Sequence, residues 1–122
     1  MPDVDLVVEA VCRLPIDYVE FGNLSAVELI RRSGYRAVRS DVTVARLEAE
    51  LRRAPDLVEA WFAWSADNRG TPAWYVVEST PGAFTLGFHD GSSSEPPVVF
   101  TDKATAAAAF VWRYLDSLAR LV

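Results

Sequence analysis

Pro81-Gly82 stands between two short runs of strand-forming residues, Trp74-Tyr75-Val76-Val77 before it and Phe84, Leu86 and Phe88 at alternate positions after it. The dipeptide marks a turn, and the alternation beyond it marks a strand with one apolar face. Such a face needs a cover. After a further short run, Val98-Val99-Phe100, either Thr101 or Asp102 is placed to cap a helix carrying Ala107, Phe110, Val111, Tyr114, Leu115, Leu118 and Leu121 on one side. The chain is thereby constrained to an antiparallel sheet with helix packed against it, two layers around one core.

Upstream of the sheet the spacing turns helical. Val4, Val7, Val8, Val11 and Leu14 form an apolar stripe with Asp3, Asp5 and Glu9 off it, which predicts a first helix over residues 3–14 that ends at Pro15. Residues 16–23 mix Tyr18, Val19 and Phe21 with Asp17, Glu20 and Gly22, a pattern open to a short strand or an ordered loop. Ser25 and Glu28 have the spacing at which each side chain satisfies the other's backbone N–H, and Gly34 suits a left-handed cap, so a second helix is expected over 26–33. Asp41 is the expected cap of a third, with Val44, Leu47 and Leu51 inward and Ala54-Pro55 closing it.

From Leu57 onward Val58, Ala60, Phe62 and Trp64 alternate with Glu59, Trp61, Ala63 and Ser65, and Asp67-Asn68-Arg69-Gly70 interrupts the run. This predicts a strand from about Ala60, hairpinned to Trp74–Val77. A helix from Pro55, a residue suited to the first helical position, is the competing assignment. The expected fold is a single α+β domain over residues 1–122: N-terminal helices, an antiparallel meander of three to four strands, and a C-terminal helix packed on the sheet.

The length of 122 residues suits one domain, burying roughly two-thirds of the surface its unfolded chain exposes. A hydrophobic fraction of 51% supplies a core without crosslinks. Cys12 is the lone cysteine and cannot form an internal disulfide, which points to a reducing compartment. The first residues carry acids where a signal peptide needs bases, and no run approaches the about 18 apolar residues of a membrane span. The expectation is a cytoplasmic protein without membrane partners.

The formal net charge of -5 disfavours a surface that tracks nucleic-acid phosphates. The charge is also uneven. Residues 1–30 alone sum to -5, with Asp3, Asp5, Glu9, Asp17, Glu20 and Glu28 against Arg13, whereas Arg31, Arg32, Arg36 and Arg39 follow with Tyr35 among them. Four arginines near a helix end resemble a small phosphate-binding patch, but they also complement the helix dipole while solvated, and in a chain of net charge -5 that second reading is favoured, with nucleic-acid binding secondary.

Chemistry-bearing residues are sparse. His89 is the sole histidine and sits at the end of a strand beside Asp90-Gly91, the place of an exposed turn residue. Cys12 borders the apolar stripe of the first helix, the place of a small buried hydrophobe. One His and one Cys cannot assemble a zinc site. Gly82 and Gly87 lack the Lys-Ser or Lys-Thr pair of a phosphate loop. Asp67, Glu78, Asp90 and Glu95 offer carboxylates near the strands, as any acidic domain does. No catalytic residue, cofactor or metal is expected.

The tryptophans point elsewhere. On a regular strand Trp61 and Trp64 cannot share a face, so one of them would point away from the core, and an exposed Trp beside acids is a typical protein-binding anchor. Trp61, Trp64 and Asp67 are the expected interface residues. The acids of residues 3–28, Asp17 and Glu20 among them, and the loop acids Asp67 and Asp90 are expected to meet a cationic partner surface.

The segments EAWFAWSADNRG, PAWYVV, AFTLGFHDG and VVFTDKATAAAAFVWRYLDSL, across the last two-thirds of the chain, resemble in pattern the small immunity proteins of bacterial polymorphic-toxin systems. The resemblance implies a non-enzymatic, cytoplasmic inhibitor that occludes a cognate toxin, and it carries no particular functional residue across. Two other classes stay open: a secretion chaperone or adaptor, and a small ligand-binding or hydrolytic domain, which needs polar groups converging on a pocket.

Overall fold

A computed structural model describes residues 3–67, 73–89 and 96–118. Four helices, α1 (Val4–Cys12), α2 (Leu14–Phe21), α3 (Ala26–Ser33) and α4 (Tyr35–Val38), lead into a 3-10 turn at Arg39–Asp41. Helices α5 (Val44–Arg53) and α6 (Pro55–Asp67) follow, then strands β1 (Ala73–Thr80), β2 (Ala83–His89) and β3 (Val98–Phe100), and finally α7 (Lys103–Ser117). The fold is α+β.

The strands form one antiparallel sheet in the order β1-β2-β3. Val76 lies opposite Leu86, and Phe84 opposite Phe100. Because side chains alternate across a strand, Val76, Phe84 and Leu86 share the inward face, and all three are buried where α7 packs on the sheet. Tyr75, Thr85 and Val99 fall on the other face. Helix α7 lies at the centre, touching the sheet, α5 and α6, and its Ala106, Ala107, Phe110, Val111 and Leu115 are almost wholly buried. Leu47 and Leu51 of α5, Ile30 of α3 and Val7 and Val11 of α1 complete the core.

Local chemistry explains most boundaries. Asp3 accepts from the backbone N–H groups of Asp5 and Leu6 at the start of α1, and Ser25 accepts from that of Glu28 at the start of α3. Gly34, at φ 87°, ends α3 in the left-handed conformation that a Cβ would strain. Asp102, one of the two expected caps, accepts from Thr105 N–H and starts α7. The cap of α5 is Thr43, whose Oγ1 accepts from Arg46 N–H at 3.2 Å, and not Asp41, which belongs to the 3-10 turn.

Two expected elements are corrected. Residues 60–65 are not a strand: they lie in α6, which starts at Pro55. Leu57, Val58, Trp61 and Ser65 are its buried positions, a helical stripe that places Trp61 against Phe110 and Tyr114 of α7. The meander accordingly has three strands among the described residues. Pro15 does not end a helix but opens one: α1 stops at Cys12, and Pro15 sits in the first turn of α2, where a missing N–H costs no intrahelical bond. The undecided residues 16–21 are therefore helical, and Gly22, at φ 69°, terminates them. Among the described residues no helix is long and apolar enough to cross a membrane.

Candidate functional site

Helix α2 is short, and much of its apolar surface is not absorbed by the core. Leu14 and Pro15 are buried, but Tyr18 is 45% exposed, Val19 77% and Phe21 57%. Three large apolar side chains within four residues make a ridge that folding alone does not explain. Beside the ridge, between α2 and α6 and reaching α7, runs a groove of about 570 Å³ lined by Tyr18, Val19, Ala60, Trp64, Asp67 and Tyr114 among others.

The groove has an aromatic wall. The Tyr18 and Trp64 rings meet edge to face, 5.1 Å apart at 87°, and Trp64 meets Tyr114 at 6.0 Å and 83°. The small side chains of Ala60 and Ala63, each one turn from Trp64 or its neighbours on α6, leave the space open. Burial pushes the Tyr114 phenol up to about 12, with Trp64 pulling the other way and the nearby Tyr18 adding a smaller upward effect. The Tyr114 phenol therefore stays protonated at neutral pH. Asp67 is the one ionisable carboxylate among the described lining residues.

On the other flank of α2 a second groove, of about 430 Å³, is lined by Glu9, Arg13, Ile16, Glu20, Glu50 and Asp56 among others. Arg13 is engaged with Asp17 at 3.6 Å, and Arg53 with Glu50 at 3.2 Å. Four carboxylates thus face one lining cation, and the ridge lies between an aromatic groove and an acidic one.

The expected interface residues separate on this geometry. Trp64 and Asp67 come together in the aromatic groove, whereas Glu20 lines the acidic groove on the other flank of α2 and Asp17, on the same helix, pairs with Arg13. Trp61 is corrected. It is fully buried, its ring packs on Trp64, Phe110 and Tyr114, and its indole N–H donates to the Cys12 carbonyl at 2.8 Å, so it is a core residue and cannot present itself to a partner. Asp90 lies outside the described residues. Tyr18, Val19, Phe21 and Tyr114 were missed by sequence reasoning. The signal was the pairing of Pro15 and Gly22 as start and stop of a helix, which would have given α2 its faces.

The arginine stretch is largely engaged locally. Arg31 and Arg32 both pair with Glu28, at 2.7 and 3.2 Å, and Arg39 pairs with Asp116 at 2.8 Å. Tyr35, which lies between them in sequence, is buried, and that burial raises its phenol against the opposing pull of Arg39.

Nucleophile candidates are similarly occupied. The Cys12 thiol is fully buried, and burial, reinforced by Glu50, pushes it up to about 12, so it stays protonated at neutral pH. Ser65 uses its Oγ to accept from Val76 N–H at 2.8 Å. Glu78 accepts from Gly82 N–H at the β1–β2 turn and does not line the groove that holds Asp67. Among the described residues no three His, Cys, Asp or Glu side chains cluster as metal ligands. The arrangement sets exposed apolar side chains beside an aromatic groove and an acidic one.

Comparison with known proteins yields no relative from which a role could be carried over: no family model matches the chain, and neither does any curated protein or solved structure.

Proposed function

We propose that this protein is a non-enzymatic binding module that docks on a partner protein through the α2 ridge and the groove beside it. We further propose that the partner is a bacterial toxin domain, held inactive in the cytoplasm by occlusion of its working surface. The observation that carries the docking surface is the exposure of Tyr18, Val19 and Phe21 next to a groove walled by Trp64 and Tyr114. Aromatic and aliphatic anchors beside a pocket are what tight protein interfaces bury at their centres. The charge supports a basic partner: residues 1–30 sum to -5, and Glu9, Glu20, Glu50 and Asp56 flank the ridge. A toxin that handles nucleotides or nucleic acid presents a cationic face, and complementary charge speeds encounter with it. The pattern resemblance to immunity proteins points the same way.

The test is co-expression with the product of the neighbouring gene. On this account the two proteins co-elute in size exclusion, and growth arrested by the neighbour is restored. Val19→Asp abolishes both effects, whereas Val99→Asp, on the open sheet face, preserves them. Growth restored equally by both variants contradicts the placement. A complex formed only with an unfolded neighbour, without rescue, indicates a secretion chaperone instead.

A further inference from the structure

Resting on the proposal that the groove between α2 and α6 is a docking face, we infer that its occupant is the guanidinium of an arginine side chain on the partner protein, held between the rings of Tyr18, Trp64 and Tyr114 and paired with Asp67.

Ring geometry is the first ground. Stacked rings cover each other's faces, but the Tyr18–Trp64 and Trp64–Tyr114 pairs stand at 87° and 83°. In each perpendicular pair one ring presents only its edge and keeps its faces clear of that neighbour, while Tyr114 also has one face stacked on Phe110, at 6.1 Å and 27°, so that only its other face is open to a cation. The face of an aromatic ring is the negative end of its quadrupole and attracts cations.

Charge is the second. Asp67 is the carboxylate in a lining that otherwise consists of aromatic, aliphatic and hydroxyl side chains, and no lysine or arginine is among the described lining residues to neutralise it.

The choice of guanidinium over ammonium follows from shape. Guanidinium is planar, stacks on aromatic faces, gives up its hydration more readily than an ammonium, and can donate two parallel N–H bonds to one carboxylate. A groove of about 570 Å³ holds such a side chain with its apolar stem against Val19 and Ala60.

The test uses the full-length protein alone, with butylguanidinium as probe and butylurea as its uncharged counterpart. The indole N–H resonance of Trp64, assigned by its loss in Trp64→Phe, is followed by NMR during each titration. The inference predicts a saturable shift with butylguanidinium and at least roughly fivefold weaker binding of butylurea. Asp67→Asn lowers the butylguanidinium affinity to that of butylurea, and Tyr18→Leu weakens it as well; the unchanged spectrum outside the groove shows that both variants are folded. Equal binding of the two probes, shifts that bypass Trp64, or an unchanged affinity in Asp67→Asn overturns the inference. Because no partner is present, that failure leaves partner docking to be judged by co-expression, and a failed co-expression leaves the cation site to be judged here.

Discussion

The indole N–H of Trp61 donates to the backbone carbonyl of Cys12 at 2.8 Å in the interior, tying α6 to the end of α1. The carbonyls at a helix end have no intrahelical partner, so this bond satisfies a group that would otherwise be buried and bare. Trp61→Phe keeps an aromatic ring against Phe110 but removes the donor. It should lower stability by about 1–3 kcal/mol for the stranded carbonyl, with a further loss for the smaller ring. Urea unfolding measures this, and a change within about 0.5 kcal/mol of zero would show the bond to be dispensable.

Ser65 plays the corresponding role between α6 and the sheet. Its Oγ accepts from the buried N–H of Val76 at 2.8 Å, closing the side of β1 that does not pair with β2. Ser65→Ala should cost about 1–3 kcal/mol. It should also speed native-state hydrogen exchange at the Val76 amide selectively, while Leu86 opposite stays protected. Unchanged exchange at Val76 would mean that another group has taken the place of Ser65.

On the open face of the sheet, Gly87 leaves room for the Tyr75 ring. A Cβ at position 87 would stand 2.5 Å from the Tyr75 hydroxyl oxygen and 2.7 Å from Cζ, so Gly87→Ala must displace the ring. The expected cost is about 1–3 kcal/mol. In a Tyr75→Ala background the same substitution should cost less than about 0.5 kcal/mol, because the two residues are coupled only through this contact. A double-mutant cycle with no coupling would refute the steric account.

Alkaline pH should weaken the fold. Burial raises the Cys12 thiol from 9.0 to about 12 and the Tyr114 phenol from 10.0 to about 12. Above pH 9 the unfolded chain therefore releases protons that the folded chain retains. The stabilisation is fully present below the unfolded values and is lost as pH rises toward 12. The urea midpoint should begin to fall about one unit below pH 9 and fall more steeply above it. Cys12→Ala should reduce the slope that begins near 9, and Tyr114→Phe the slope that begins near 10, to which the raised Tyr35 phenol also contributes. An identical slope in both variants would assign the loss to other groups.

What was legible in the sequence follows how local its causes are. The β2 strand, the Pro81-Gly82 turn, the Ser25 cap of α3 and the stripe of α7 up to Leu118 are each written in a few adjacent residues and are present, whereas the Glu28 carboxylate, expected to return the cap, pairs with Arg31 and Arg32 instead, and Leu121 lies outside the described residues. Residues 60–65 were misread because Val58, Ala60, Phe62 and Trp64 satisfy a two-residue period, while Leu57, Val58, Trp61 and Ser65 satisfy a helical one. Packing of Trp61 on α7 favours the second, and that contact is invisible locally. The candidate site suffered the same loss. Trp64 and Asp67 could be paired by proximity in sequence, but Tyr18 and Tyr114 reach the groove from opposite ends of the chain.

Hydrogen–deuterium exchange of the complex with the neighbouring gene's product, compared with the free protein, tests the docking surface most directly. The account predicts that binding slows exchange in α2, over residues 14–21, and in the second half of α6, leaving the turn between β1 and β2 unchanged. Protection confined to the sheet or to the segment around Arg36 and Arg39, with α2 exchanging as in the free protein, would contradict it.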